Sequence, residues 1–91
     1  MPTKSEVLED VKKIIGKIAN FPADQIHDDY TLTDPSLSMD STQLSSLTIA
    51  LNKYIGQHNS DAKITPAQVK KSGLTVKSLA GIVYELIYPT T

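Results

Sequence analysis

Ninety-one residues, 40% of them hydrophobic, suffice for one small domain with one modest core, residues 1–91, and are too few for two. The net charge of −1, with nine lysines and no arginine, argues against nucleic acid as the main partner. No cysteine is present, so disulfides, thiolate metal sites and cysteine nucleophiles are excluded, and any sulfur chemistry must use a sulfur brought from outside.

One Phe, four Tyr and no Trp imply a core of Ile, Leu and Val. No apolar run approaches the roughly eighteen residues of a membrane span, and Met1-Pro2-Thr3-Lys4-Ser5-Glu6 lacks the basic and apolar regions of a secretory signal. The expected location is therefore cytoplasmic. The charge is polarised along the chain. Up to Asp40 there are eight acids and four lysines, a net −4; from Ser41 onward two acids and five lysines give +3.

The first helix opens on Thr3-Lys4-Ser5-Glu6, a capping box in which hydroxyl and carboxylate satisfy each other's backbone donors. Val7, Leu8, Val11, Ile14, Ile15 and Ile18 then hold a helical period, which predicts a helix to about Ala19. Asn20 and Phe21-Pro22 end it. Gly16 costs about 1 kcal/mol inside a helix and suggests a close helix contact.

A long connection follows from Asn20 to Met39, with turn residues Pro22, Asp24, Asp28, Asp29, Asp34, Pro35 and Ser36. Phe21, Ile26, Tyr30, Leu32 and Leu37 are spaced to pin it down, each worth about 2 kcal/mol if fully buried, so an ordered loop is expected. Its acids do not follow the order of a calcium loop, and no metal site is expected.

At Met39-Asp40-Ser41-Thr42 the pattern becomes helical again. Leu44, Leu47, Ala50, Leu51, Tyr54 and Ile55 mark a buried face, and Gly56 with Asn59 marks the end near Ile55 or Gly56. Asp40 is a natural N-cap, which puts Ser41 in the first turn pointing outward, where free N–H groups and the helix dipole favour an anion such as a phosphate ester. A catalytic role for Ser41 would need a base, and His27 and His58 fall in no nucleophile motif; the chain reads as no enzyme. The outer face, Thr42, Gln43, Ser45, Ser46, Thr48, Asn52 and Lys53, is uncharged except for the lysine.

Thr65 as N-cap, Pro66 at the first position and Gln68 at the third open a short third helix that ends by Ser72-Gly73 and turns Val69 inward. Thr75 caps a fourth, in which Val76, Leu79, Ala80, Val83, Leu86 and Ile87 form the apolar stripe before Pro89. The expected fold is all-α, a four-helix bundle with a long ordered loop between helices 1 and 2 and a short third helix.

This order resembles the acyl carrier proteins, from Val7 to Leu86. Leu37-Ser38-Met39-Asp40-Ser41 stands where that family shows Leu-Gly-x-Asp-Ser, and Ile64-Thr65-Pro66 resembles its entry to the third helix. The resemblance implies a 4′-phosphopantetheine arm on Ser41, added from coenzyme A by a phosphopantetheinyl transferase, with Asp40 supporting that reaction and its magnesium. It also implies a monomeric carrier that meets acyl-transferring or acyl-activating enzymes. Leu44, Leu47, Leu51, Ile64, Val69 and Leu74 are candidates to line an acyl slot, or equally to fill the core.

Three features depart from the family pattern. Thr42 stands where Leu or Met follows the serine, Ser38 replaces Gly, and the second helix has no acid after Asp40 where the family presents several. Charge pairing sets encounter rate and partner choice, so these departures imply other partners and a specialised lipid or secondary-metabolite pathway. A peptidyl or aminoacyl carrier, and an unmodified helical interaction module of the same fold, are the alternatives.

Overall fold

The computed structural model describes residues 3–33, 37–71 and 73–89. Four helices follow in order: α1 (Lys4–Ala19), α2 (Ser41–His58), α3 (Pro66–Val69) and α4 (Val76–Ile87), with a 3-10 turn at Ala23–Gln25. Among the described residues there is no strand, and the one sheet-like contact is an isolated antiparallel bridge between Thr31 and Thr75. The chain is all-helical, as its periodicity predicts. The turn residues Asp34, Pro35 and Ser36, and the Ser72 expected at the end of the third helix, lie outside the described residues.

Side-chain caps set each helix start. The Glu6 N–H donates to Thr3 Oγ1 at 3.2 Å and the Thr3 N–H to Glu6 Oε1 at 3.3 Å. Thr65 and Gln68 repeat this at α3, and Thr75 Oγ1 accepts the Ser78 N–H at α4. One core cluster unites all four helices, with Val7, Val11 and Ile15 of α1, Leu47, Leu51 and Ile55 of α2, Val69 of α3, and Leu79 and Val83 of α4 fully enclosed.

Gly16 has another reason than the helix contact its position suggests. Asn20 adopts the left-handed conformation (φ 57°), and the Phe21 N–H returns to the Gly16 carbonyl at 2.9 Å, which reverses the chain. A Cβ on Gly16 would lie 2.5 Å from the Phe21 carbonyl oxygen, so the glycine makes room for the chain leaving its own helix.

The loop from α1 to α2 is ordered through buried Ile26, Leu32, Leu37 and Met39, while Phe21 and Tyr30 are partly buried. It is also bonded to the start of α4. The Val76 N–H donates to the Tyr30 carbonyl at 2.8 Å, the Lys77 N–H to the Asp28 carbonyl at 2.9 Å, and the Leu32 N–H to the Leu74 carbonyl at 3.3 Å. The first turn of α4 thus spends its orphan donors on the loop. Lys12 of α1 adds an ion pair to Asp28 at 2.6 Å.

Three expectations for α2 are corrected. It runs to His58, past Gly56, whose missing side chain faces open space; Asn59 stops it, with its side-chain amide donating to the Leu86 carbonyl at 2.9 Å. Its outer face is narrower than the composition suggests. Thr48 is buried, its hydroxyl donating to the Leu44 carbonyl at 2.9 Å, and Asn52 is half-buried against Ile64. Short polar residues enter the interior because each finds a backbone partner there. Ala50, expected on the buried face, is half-buried.

Tyr54 joins α2 to α1 by donating its hydroxyl hydrogen bond to Asp10 Oδ2 at 2.7 Å. Burial, and then that carboxylate, push the phenol above its usual ionisation range.

Two substitutions test these contacts by thermal and chemical unfolding. Gly16→Ala, although it raises helix propensity, is expected to destabilise by about 1–3 kcal/mol because its methyl collides with backbone. Tyr54→Phe is expected to cost about 1 kcal/mol at neutral pH. Because the folded phenol ionises later than the unfolded one, Tyr54 stabilises below pH ~10 and loses that contribution as pH rises further. The variant should therefore lose less stability than the parent above pH ~10.

Candidate functional site

The approach to α2 alternates in burial. Leu37 and Met39 point into the core, whereas Ser38 and Asp40 are exposed, and the Met39 N–H donates to the Leu32 carbonyl at 3.1 Å. Two apolar anchors two residues apart fix the chain as it delivers Asp40 and Ser41.

Asp40 is the N-cap, and it belongs to a full capping box. Its Oδ1 accepts the Gln43 N–H at 2.8 Å, and Gln43 Oε1 accepts the Asp40 N–H at 2.9 Å. Gln43 Nε2 also reaches the Ile18 carbonyl in the last turn of α1, at 3.5 Å. The start of α2 is thereby tied to the end of α1. Gln43 belongs by composition with the outer face, yet the spacing Asp40-x-x-Gln43 is itself a capping-box signature.

Ser41 is the first residue of the 18-residue α2, and its side chain is exposed. The Leu44 N–H is taken by the Asp40 carbonyl at 2.9 Å and the Gln43 N–H by the cap. The amides of Ser41 and Thr42 have no acceptor among the described residues, in contrast to the first turn of α4. Two open donors, the positive end of a long helix and an outward hydroxyl therefore coincide, which suits a bound or esterified anion.

Neither histidine assembles a nucleophile there. His58 lies at the other end of α2, about 25 Å away at 1.5 Å per residue, with its ring against Tyr54. His27 packs against Tyr30 with ring centroids 4.9 Å apart, on a cleft of about 630 Å³ that it shares with Lys12, Asp28, Thr75 and Lys77. Among the described residues, no group of His, Asp and Glu has the arrangement of a metal site.

The six residues read as acyl-slot or core candidates come together. Leu44, Leu47 and Leu51 of α2, Ile64 and Val69 around α3, and Leu74 all lie buried in one cluster. Each packs the core, and Leu74 also edges an open cleft of about 340 Å³ with Gly73, Ser78 and Ile82. Ile49 is 71% exposed on the outer face of α2, out of phase with the stripe of Leu44, Leu47, Leu51 and Ile55, and that phase mismatch was legible.

Ser38 holds a left-handed backbone (φ 49°). A non-glycine residue there costs about 1–2 kcal/mol, which gives a physical reason for a glycine at such a position. Comparison with protein-family models, with characterised proteins and with solved structures finds no match to this chain.

The left-handed turn before the site is open to a direct test. Ser38→Val is expected to destabilise by about 1–2 kcal/mol, and Ser38→Gly to be neutral or stabilising, in urea unfolding at neutral pH.

Proposed function

We propose that this chain is an acyl carrier protein of the four-helix acyl-carrier type, holding acyl intermediates as thioesters on a 4′-phosphopantetheine arm at Ser41. The reading rests on one observation: an exposed serine on the first turn of a long, capped helix, beside two backbone amides without acceptors among the described residues.

The residues present fit the group. Ser41 offers the acceptor hydroxyl for a phosphodiester, and the open amides and dipole of α2 favour the negative charge of that ester. Asp40 keeps Oδ1 in the cap, while Oδ2 has no protein partner among the described residues and is available to a cation accompanying the transfer. When bound, the arm supplies the thiol that the chain itself lacks. Gln43 and Met39 hold the serine in place, so the tether starts from a fixed point on a mobile arm's behalf.

Thr42, exposed beside Ser41, and the absence of acids elsewhere on α2 support a specialised lipid or secondary-metabolite pathway served by its own transferase and acyl-activating or acyl-transferring enzymes. A peptidyl or aminoacyl carrier would use the same attachment chemistry and differ in the group loaded.

The test is intact mass after incubation with coenzyme A and a broad-specificity phosphopantetheinyl transferase. A single pantetheinyl addition is expected, and its loss in Ser41→Ala. An unchanged mass with several transferases overturns the carrier reading in favour of an unmodified interaction module.

A further inference from the structure

α4 has a second face besides the one it buries. Val76, Leu79, Ala80, Val83 and Ile87 form its core side. On the opposite side Lys77, Gly81 and Glu85 follow one another at four-residue steps, with Lys77 and Glu85 exposed. These are the two charged residues of the twelve-residue helix. A Cβ on Gly81 would meet nothing within 4 Å, so packing inside the chain does not explain a residue that weakens a helix interior. Gly81 lines two clefts, one of about 280 Å³ toward Leu8 of α1 and one of about 340 Å³ toward Leu74. Ile82 and Leu86, only partly buried, continue the apolar surface beside it.

Lys77 and Glu85 stand four residues before and after Gly81, about 6 Å along the axis on either side. A two-fold axis at Gly81, with a second α4 laid antiparallel on the first, sets Lys77 of each copy level with Glu85 of the other. The opposite charges then meet twice, and the glycine, having no side chain, lets the two backbones approach at the axis. We propose that the outer face of α4 is a self-complementary surface on which a second copy of this chain docks, forming a weak two-fold dimer centred on Gly81.

Charge complementarity selects that occupant. Neither Lys77 nor Glu85 makes an ion pair with a described residue. Both have charged neighbours: Lys71 shares a cleft with Glu85, while Lys4 shares one with Lys77, and Asp24, Asp28 and Asp29 share another. With Asp28 paired to Lys12, the remaining charges balance in sign, so the face holds no net attraction for a strongly acidic or basic partner. A nucleic acid or an anionic membrane gains nothing from it for the same reason. Its order of charges, positive then negative about a glycine, matches its own reverse. One helix face is small for an interface, which makes the dimer a transient one. Such a dimer goes beyond the carrier reading, whose resemblance implies a monomer, and does not require Ser41 to be loaded.

The test is sedimentation equilibrium of the full, unloaded chain at low salt, from micromolar to millimolar concentration. The weight-average mass is expected to rise from that of one chain, 9.9 kDa, toward twice that value. Lys77→Glu and Glu85→Lys each set like charges opposite one another and should weaken association roughly tenfold. The double variant K77E/E85K has the parent's net charge and restores both pairs, so it should associate as the parent does. Gly81→Lys, which has room in the single chain, puts two like charges on the axis and should abolish association over the same range.

A single-chain mass throughout, undiminished association in any of the three single variants, or a double variant no better than K77E or E85K alone would each overturn the proposal. If a charge-reversed variant loses its helical circular dichroism, Lys77→Gln and Glu85→Gln serve instead. A loss of about twofold in both supports the pairing, and undiminished association in either overturns it. Because Ser41 takes no part, a failure here is separable from a failure of the modification at that residue.

Discussion

The structure depends on how the long connection between α1 and α2 is held, because that segment must satisfy its own backbone and still deliver a serine to a fixed place. Buried anchors alone would leave its polar backbone groups exposed to competition from water. Here the start of α4 solves the problem for both partners: its first amides need acceptors, the loop has carbonyls to give, and Tyr30 and Asp28 supply them. One set of hydrogen bonds thus caps a helix, orders a loop and fixes the level at which Leu37 and Met39 enter the core.

From that anchorage the difference between the two helix starts follows. The first turn of α4 is saturated by the loop and Thr75, whereas the first turn of α2 is capped by Asp40 and Gln43 yet keeps two amides open beside Ser41. Rigidity and openness coexist because the cap takes the third amide and leaves the first two. The Ser41 side chain is thereby exposed at a position that its neighbours hold in place.

The outer surface of α2 then carries the question of partners. Thr48 and Asn52, which by composition belong with the surface, are withdrawn into backbone hydrogen bonds with Leu44 and Ile64. What remains outside is Thr42, Ser45, Ser46, Ile49 and Lys53, a face with no acid and one aliphatic knob. Asn52 has a second consequence, since binding Ile64 brings Lys63 beside α2.

The sequence by itself determined the number, order and starts of the helices, the burial of the loop anchors Ile26, Leu32 and Leu37, and the place of Ser41 at a helix N-terminus. Those features come from interactions within a few residues: the period of Val7, Val11 and Ile15, and the cap chemistry of Thr3 with Glu6 or Thr65 with Gln68. Only the tertiary structure decided why Gly16 is a glycine, that Ser38 sits at positive φ, that the loop is bonded to α4, and that Thr48 and Asn52 face inward. Most of these depend on atoms distant in sequence, and the φ of Ser38 on how the anchored loop meets α2. Residue type and spacing do not fix such geometry until the helices have packed.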